Sequence, residues 1–300
     1  MKLTRSRALI SVVGTIAIAA SLAACGSSNN SNAGGASTPT IASSVDPSLA
    51  AKVPAAIKSK GTILIGTDST YAPSEFLAPD GKTVVGFDVD LFNAVAGKLG
   101  LKTQWQSANF SDIIPGVTSG KYDIGVSSFT INAERMQQVT MVSYFSAGTQ
   151  WAQQAGGSVD PNNACGKKIA VQTGTVQVDD ITARSKTCTT AGKPAIKIDQ
   201  YQAQSDATNA VVTGKDNAML ADSPVSAYAV QKTNGQLALL GAIYESAPYG
   251  YVLPKNETDF GSAIASAVQA LIADGTYNKI LTKWGVQAGA ITNPTVNPTQ

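Results

Sequence analysis

Gly120-Lys121-Tyr122-Asp123-Ile124-Gly125-Val126-Ser127-Ser128 and, at a constant offset of 94, Gly214-Lys215-Asp216-Asn217-Ala218-Met219-Leu220-Ala221-Asp222 read alike. Each is a Gly-Lys turn followed by a short apolar strand that ends in polar residues, and each is preceded by a helical segment starting near Asp112 or Asp206. Strands are expected at 62–67, 101–106 and 122–127, and again at 167–172, 195–201 and 217–221. Helices are expected at 111–119, 175–186, 204–213 and 223–233, and a hairpin joins 75–78 to 83–87 through Asp80-Gly81. Asp88 reads as the cap of a helix carrying Val89, Phe92, Val95, Ala96 and Leu99 at helical spacing, with Gly100 as its stop. Alternation of this kind implies parallel sheets covered by helices on both faces, here in two similar α/β lobes. Open α/β sheets bind ligands beyond the carboxyl ends of their strands. Ser128 and Asp222 occupy corresponding strand ends, so two facing lobes would aim both into one cleft.

Towards the end of the chain, Thr258 can cap a helix with Phe260, Ile264, Val268, Leu271 and Ile272 on one stripe. A short helix at 277–284 follows, and 287–300, with Pro294 and Pro298, reads as a loose tail.

The 300 residues hold 22 Lys+Arg, 20 Asp+Glu, three Cys and no His. Without histidine there is no Ser-His-Asp or Cys-His catalysis and no His-ligated zinc, and three cysteines are too few for an all-cysteine site. No metal and no cofactor is therefore expected. Lys2, Arg5 and Arg7 all fall in the first 24 residues, leaving 19 basic against 20 acidic side chains in the remainder. A nearly neutral body argues against nucleic acid as a partner.

The basic start and the apolar run 8–24 have the layout of a signal peptide (1–24), ending in Leu22-Ala23-Ala24-Cys25. That ending looks like the lipobox of bacterial lipoproteins, in which the Cys25 thiol takes a diacylglyceryl group; an ordinary signal with an incidental cysteine is the alternative. Residues 25–54, rich at first in Gly, Ser and Asn, read as a lipid-anchored flexible linker. The body is then held at the cell membrane on its extracytoplasmic face. Secretion permits a disulfide between the two remaining cysteines, Cys165 and Cys188, and one is expected, with two separate buried thiols as the alternative. Cys165 precedes a strand and Cys188 follows a helix. About seven strand residues and about thirteen helical ones each span about 20 Å, which returns Cys188 to the edge where Cys165 starts.

Gly86-Phe87-Asp88-Val89-Asp90-Leu91 resembles the signature of the extracellular solute-binding proteins of family 3, the amino-acid receptors of ABC importers. Similar stretches follow in the family's order: Gly66-Thr67-Asp68, Tyr71-Ala72-Pro73-Ser74-Glu75-Phe76, Phe110-Ser111-Asp112-Ile113-Ile114-Pro115-Gly116, Thr130-Ile131-Asn132-Ala133-Glu134-Arg135, Val171-Gln172-Thr173-Gly174-Thr175 and Asp274-Gly275-Thr276-Tyr277. The resemblance implies a periplasmic-binding-protein-like fold of type II topology. Lobe 1 would hold 55–146 plus 248–286 and lobe 2 would hold 147–247, joined by two crossover strands near 145–149 and 246–250.

A buried amino acid needs both of its charges neutralised. By resemblance, Arg135 clamps the α-carboxylate bidentately, a geometry lysine cannot copy. Thr175 and Val176 would add helix-start amides to the same group. Asp222, helped by Ser128 and Thr130, would hold the α-ammonium, although an aspartate there can equally cap the following helix. Tyr71 and Phe110 match aromatic walls, and Asp68 and Gln172 match positions that reach the ligand side chain; aromatics are more often core, and Asp68 suits an Asx turn. Gln172 departs from the lysine of glutamine-binding members, Ala221 from a larger polar residue and Val176 from a frequent glycine. One carboxylate, Asp68, facing an uncharged Gln172 favours a polar or cationic side chain.

The resemblance thus implies a monomeric receptor that closes on a free amino acid and delivers it to ABC permease subunits. Two other readings stay open. One is a dehydratase-like periplasmic enzyme on the same fold, with a cleft carboxylate as acid or base; the other is a ligand-sensing receptor for a membrane signalling partner.

Overall fold

The computed structural model describes residues 44–299. The leader, Cys25 and the linker up to 43 lie outside the described residues. The described residues form one compact unit.

In chain order the elements are helix α1 (Pro47–Ala50), helix α2 (Ala55–Lys60), strand β1 (Thr62–Thr67), strand β2 (Thr70–Tyr71), strand β3 (Glu75–Leu77) and strand β4 (Val84–Val85). Next come α3 (Phe87–Lys98), β5 (Lys102–Ser107), α4 (Phe110–Thr118), β6 (Ile124–Gly125), α5 (Ala133–Gln138) and the long β7 (Val139–Gln154). The second half holds β8 (Lys168–Gln172), α6 (Val176–Thr190), β9 (Lys197–Tyr201), α7 (Gln204–Val212), β10 (Ala218–Asp222) and α8 (Ser223–Lys232). The chain ends with the long β11 (Leu237–Pro254), α9 (Thr258–Ala273), α10 (Thr276–Trp284) and a short 3₁₀ turn at Gln287–Gly289.

Eight strands form one sheet in the order β5-β1-β6-β11-β7-β10-β8-β9, while β2, β3 and β4 form a small second sheet. The arrangement is two parallel trios, one on β1 and one on β8, on either side of the antiparallel pair β7 and β11. The sequence echo is visible here. Helices α4 and α7, and the first residues of β6 and β10, are displaced by the same 94 positions. Because β11 pairs with β6 of one trio, β7 with β10 of the other, and the two long strands with each other, the two α/β lobes are joined by two crossover strands. Their ladder shifts register between Leu240 and Tyr244, between Tyr244 and Ala247 and between Tyr249 and Gly250.

One core gathers Phe87, Leu91, Phe92 and Val95 of α3 with Phe260, Ile264, Val268 and Leu271 of α9 and Tyr277 and Ile280 of α10. Another packs Trp151, Ile169, Val171, Ile181 and Leu220 beside Cys188. Burying each such side chain stabilises by roughly 1.5–3 kcal/mol, which ties each layer of helices to its trio. The Cys165–Cys188 disulfide is formed, with Cα atoms 5.6 Å apart. Helix α6 runs to Thr190, so Cys188 lies inside its last turn rather than beyond it.

Four expectations need correction. Asp88 is not a cap: α3 starts at Phe87, behind Gly86, and the Asp88 carboxylate is fully buried. Gly86 sits at φ +146°, and a Cβ there would lie 1.9 Å from the Ser74 carbonyl oxygen, so only glycine lets α3 start this close to β3. The flexible linker stops short of 54. Asp46 Oδ1 accepts from Ser48 N at 2.9 Å to cap α1, and Leu49 and Val53 are buried in the core, because a packed apolar side chain outweighs the weak propensity of so short a helix. The tail is not loose either. Val296 bridges Val142, Asn297 N donates to Met141 O at 2.7 Å and Ser143 N donates to Thr295 O at 2.9 Å. This half of β7 has an edge that β10 does not reach, and the tail covers it. Finally, the sheet is mixed rather than all parallel, since both crossover strands run antiparallel to their neighbours.

Candidate functional site

The strand ends converge. Asp68 follows β1, Ser128 and Thr130 follow β6, Gln172 ends β8 and Asp222 ends β10; Tyr71, Phe110, Arg135 and Thr175 come from adjoining β2, α4, α5 and the cap of α6. A hollow of about 10 Å³ is lined by Tyr71, Phe110, Ser128, Thr130, Arg135, Gln172, Thr175, Gln177 and Asp222. Of the expected residues, Val176 lines instead the mouth of the cleft beside Arg135, and Asp68 lines a separate outer hollow with Thr70, Ser107 and Gln202.

Asp222 occupies the cap position of α8 but does not cap it. Its Oδ2 accepts from Tyr71 Oη at 2.9 Å and from Tyr249 Oη at 2.7 Å, and its Oδ1 accepts from Gln177 Nε2 at 2.8 Å. Burial pushes its pKa up, against the opposing pull of Tyr249, Tyr71, Gln177 and the more distant Arg135 charge.

Arg135 is also buried, at 9 % exposure. Its Nη1 donates to Thr130 O at 2.7 Å and its Nη2 to Gly174 O, across the cleft, at 3.2 Å. The guanidinium carbon lies 5.4 Å from the ring centroids of both Phe110 and Phe129, and these two rings stack at 4.5 Å. Desolvation lowers its pKa to about 10, a loss that the negative charge of Asp222 partly offsets, so the guanidinium stays charged at neutral pH. It holds two carbonyls and sits against two aromatic rings, and no carboxylate among the described residues is bonded to it. Gly174, at φ +80°, makes the turn into α6, and a Cβ there would lie 3.2 Å from Ser111 Cβ on the opposite lobe.

The Asp68 carboxylate is fully engaged. Oδ1 accepts from Thr70 N and Thr70 Oγ1 at 3.0 and 2.6 Å, and Oδ2 from Phe110 N and Gln172 Nε2 at 3.1 and 2.6 Å. Burial raises its pKa against these bonds. The Asx turn and the link to Gln172 thus coexist. Gln172 Nε2 also donates to Gln202 O at 3.0 Å, while Gln172 Oε1 is a buried acceptor without a partner among the described residues. Thr175 Oγ1 donates to Gln172 O at 2.7 Å. Ser128, at φ +49°, turns its hydroxyl away from the hollow onto Asp88.

Two residues of the site were not foreseen. Gln177 lies in the first turn of α6, where its side chain reaches Asp222 and Thr149; its place two residues after Gly174-Thr175 was the available signal. Tyr249 lies on β11, and only its position in an expected crossing pointed to the cleft. Among the described residues no group of three or more His, Cys, Asp or Glu is placed to hold a metal ion, and no helix is long and apolar enough to cross a membrane.

Comparison with known proteins agrees with this geometry. Residues 63–287 match the family model of bacterial extracellular solute-binding proteins, family 3. The arginine-binding protein ArgT of Corynebacterium glutamicum is 36% identical over 294 residues, covering 97% of this chain and 96% of the relative. An ancestral arginine-binding protein solved with arginine bound superposes with a TM-score of 0.68 at 32% identity, covering 75% of this chain and 98% of its own. An ancestral amino-acid-binding protein described as a precursor of cyclohexadienyl dehydratase gives 0.66 at 29% identity, covering 76% and 97%. Two lobes on shared crossover strands, with a charged cleft at the strand ends, therefore belong to a bacterial extracellular solute-binding protein of family 3.

Proposed function

We propose that this chain captures a free α-amino acid between its lobes and hands it to the membrane subunits of an ABC importer, from the extracytoplasmic face and on a lipid anchor at Cys25. The observation that carries the reading is that Arg135 and Asp222, opposite charges from the two lobes, line one hollow. A zwitterion offers each of them its complement: a carboxylate for the guanidinium over the Phe110 and Phe129 faces, an ammonium for the carboxylate now held by Tyr71, Tyr249 and Gln177. A hollow of about 10 Å³ has room for about one water molecule, so an amino acid enters only as the lobes part. Closure over the ligand then restores buried bonds from both sides, and the occupied form becomes the shape a permease reads.

For the side chain, arginine is the first candidate. The relatives described as arginine-binding support it, and so does Gln172 Oε1, an unpaired acceptor that suits a donor such as a guanidinium. Asp68 adds negative charge behind it, although its lone pairs are already taken.

The kinship with a dehydratase precursor favours a second reading, an enzyme. That chemistry needs a carboxyl free to move a proton at the substrate. Asp222 and Asp68 are each held by three or four donors, which supports binding over turnover. The test is calorimetric titration with a panel of amino acids, with each bound ligand recovered and analysed. Arginine binding that Arg135→Ala abolishes, with the ligand recovered unchanged, is the expected result. Conversion to product would favour the enzyme, and no binding across the panel would sink the proposal.

A further inference from the structure

The serines that follow β6 are held from beneath by two carboxyl groups. Glu75 on β3 and Asp88 on α3 are both fully buried. Asp88 Oδ2 accepts from Ser128 N at 3.0 Å, Ser128 Oγ at 3.1 Å and Tyr144 Oη at 2.5 Å. Glu75 Oε1 accepts from Ser127 Oγ at 3.0 Å, and Ser127 Oγ accepts in turn from Asp68 N at 2.9 Å. This leaves Glu75 Oε2 and Asp88 Oδ1, both buried and without a hydrogen-bond partner among the described residues, on carboxyls that sit beneath adjacent serines, near enough for the Asp88 charge to bear on Glu75. Two ionised carboxylates could not satisfy each other there, because neither has a hydrogen to give.

Among the described residues, no positive charge is among the main influences on either carboxyl. Asp68 and Tyr71 face Glu75; Tyr144, Tyr251 and Tyr277 face Asp88; every one of these is an acid. We propose that Glu75 keeps its proton at neutral pH and donates it from Oε2 to Asp88 Oδ1, and that this acid pair is the positioning device that fixes Ser127 and Ser128 at the floor of the cleft. Burial raises the pKa of both carboxyls, and the negative charge of Asp88 raises Glu75 further. Ser128 holds a positive φ that only a few per cent of non-glycine residues adopt, and the Asp88 bonds to its N–H and its hydroxyl secure that turn. Losing the shared proton would set two carboxylates against each other and draw Asp88 off Ser128. The positioning role rests on the ligand-binding reading of the cleft; the proton itself does not.

Glu75→Gln is the informative change, since the amide places a permanent N–H where the proton sat and keeps an oxygen for Ser127. Infrared spectra of the full chain at neutral pH should show a buried protonated-carboxyl stretch in the wild type and none in Glu75→Gln. Unfolded, both carboxyls are ionised above the ordinary carboxylate range, whereas the folded pair keeps one proton. The folded-to-unfolded ratio of the wild type should then fall by up to tenfold per pH unit, relative to Glu75→Gln, from that range up to the pKa of the pair. Arginine affinity should weaken in alkali more in the wild type than in the variant. Should Glu75→Gln fail to fold, Asp88→Asn, whose amide can serve an ionised Glu75, must also lose the stretch. Absence of the stretch in the wild type, its persistence in both variants, or parallel stability curves overturns the proposal. If neither protein binds any amino acid, the reading of the cleft fails while the spectrum still decides the pair.

Discussion

Tyr71 and Asp222, 151 residues apart in the chain, meet across the cleft: the phenol donates to Oδ2 at 2.9 Å, and the Asp222 amide donates back to the same phenol oxygen at 3.2 Å. The carboxylate is thus oriented by one lobe and carried by the other. An ammonium arriving at Asp222 meets an acceptor whose pKa burial has raised. A proton and the ligand compete for it. Amino-acid affinity should therefore be flat above the Asp222 pKa and fall by up to tenfold per unit as the pH drops through it, a window that opens above the ordinary carboxylate value of about 4. Asp222→Asn should flatten this profile and weaken binding by about 3–5 kcal/mol at neutral pH, because the ligand ammonium is left buried and unpaired. Titration calorimetry across the acid range checks both; a parallel decline in the variant would assign the effect elsewhere.

Arg135 makes a sharper case for geometry over charge. Its two terminal nitrogens reach Thr130 O and Gly174 O, on opposite sides of the cleft, while its guanidinium carbon lies 5.4 Å from the centroids of two aromatic rings that stack on each other. Lysine keeps the charge but loses the fork and the stacking. Arg135→Lys should lower affinity by at least about 2 kcal/mol, close to the loss in Arg135→Ala, with circular dichroism unchanged. Near-wild-type binding by the lysine variant would show that a point charge suffices.

Gln172 is placed to act on selectivity. Its amide nitrogen is committed to Asp68 and Gln202, and its oxygen is the buried acceptor left over. Gln172→Leu removes that acceptor and frees one lone pair of Asp68. Arginine affinity should drop by about 1.5–3 kcal/mol, the range for a hydrogen bond to a charged donor, while ligands without a side-chain donor change by less than about 1 kcal/mol. Competition assays against a labelled amino acid separate the two classes.

The lobes and most of the cleft were legible because strand ends and apolar periodicity are local signals. The 94-residue echo survives as α4 with α7 and β6 with β10, and the residues read at strand ends do meet. What stayed hidden depends on partners far away in the chain. Asp88 looked like a cap because an aspartate before an apolar helical run usually is one; its burial against Glu75, Ser128 and Tyr144 needs three other elements in place. Tyr249 bonds Asp222 from the middle of a strand whose pattern says only that it is buried. Leu49 and Val53 sat in a stretch whose composition blends into the spacer before it, and they are ordered by α9 and α3 rather than by their own propensity.

The tail misled for the same reason, and it yields a direct test. Pro294, Pro298 and scarce apolar residues argue against a helix or a central strand, but an edge strand asks only for alternate main-chain bonds. Residues 295–297 supply them to Met141 and Ser143, and Met141 N donates in return to Asn297 Oδ1 at 2.8 Å. Truncation after 293 removes about three net hydrogen bonds, each worth about 0.5–1.5 kcal/mol, and uncovers the edge of β7. Calorimetry should show the truncated chain destabilised by about 2–4 kcal/mol, and light scattering should show it associating on warming. Amino-acid affinity should stay within about threefold of the full chain, since the covered edge lies away from the cleft residues. An unchanged melting temperature would mean that the tail merely rests on the strand it pairs with.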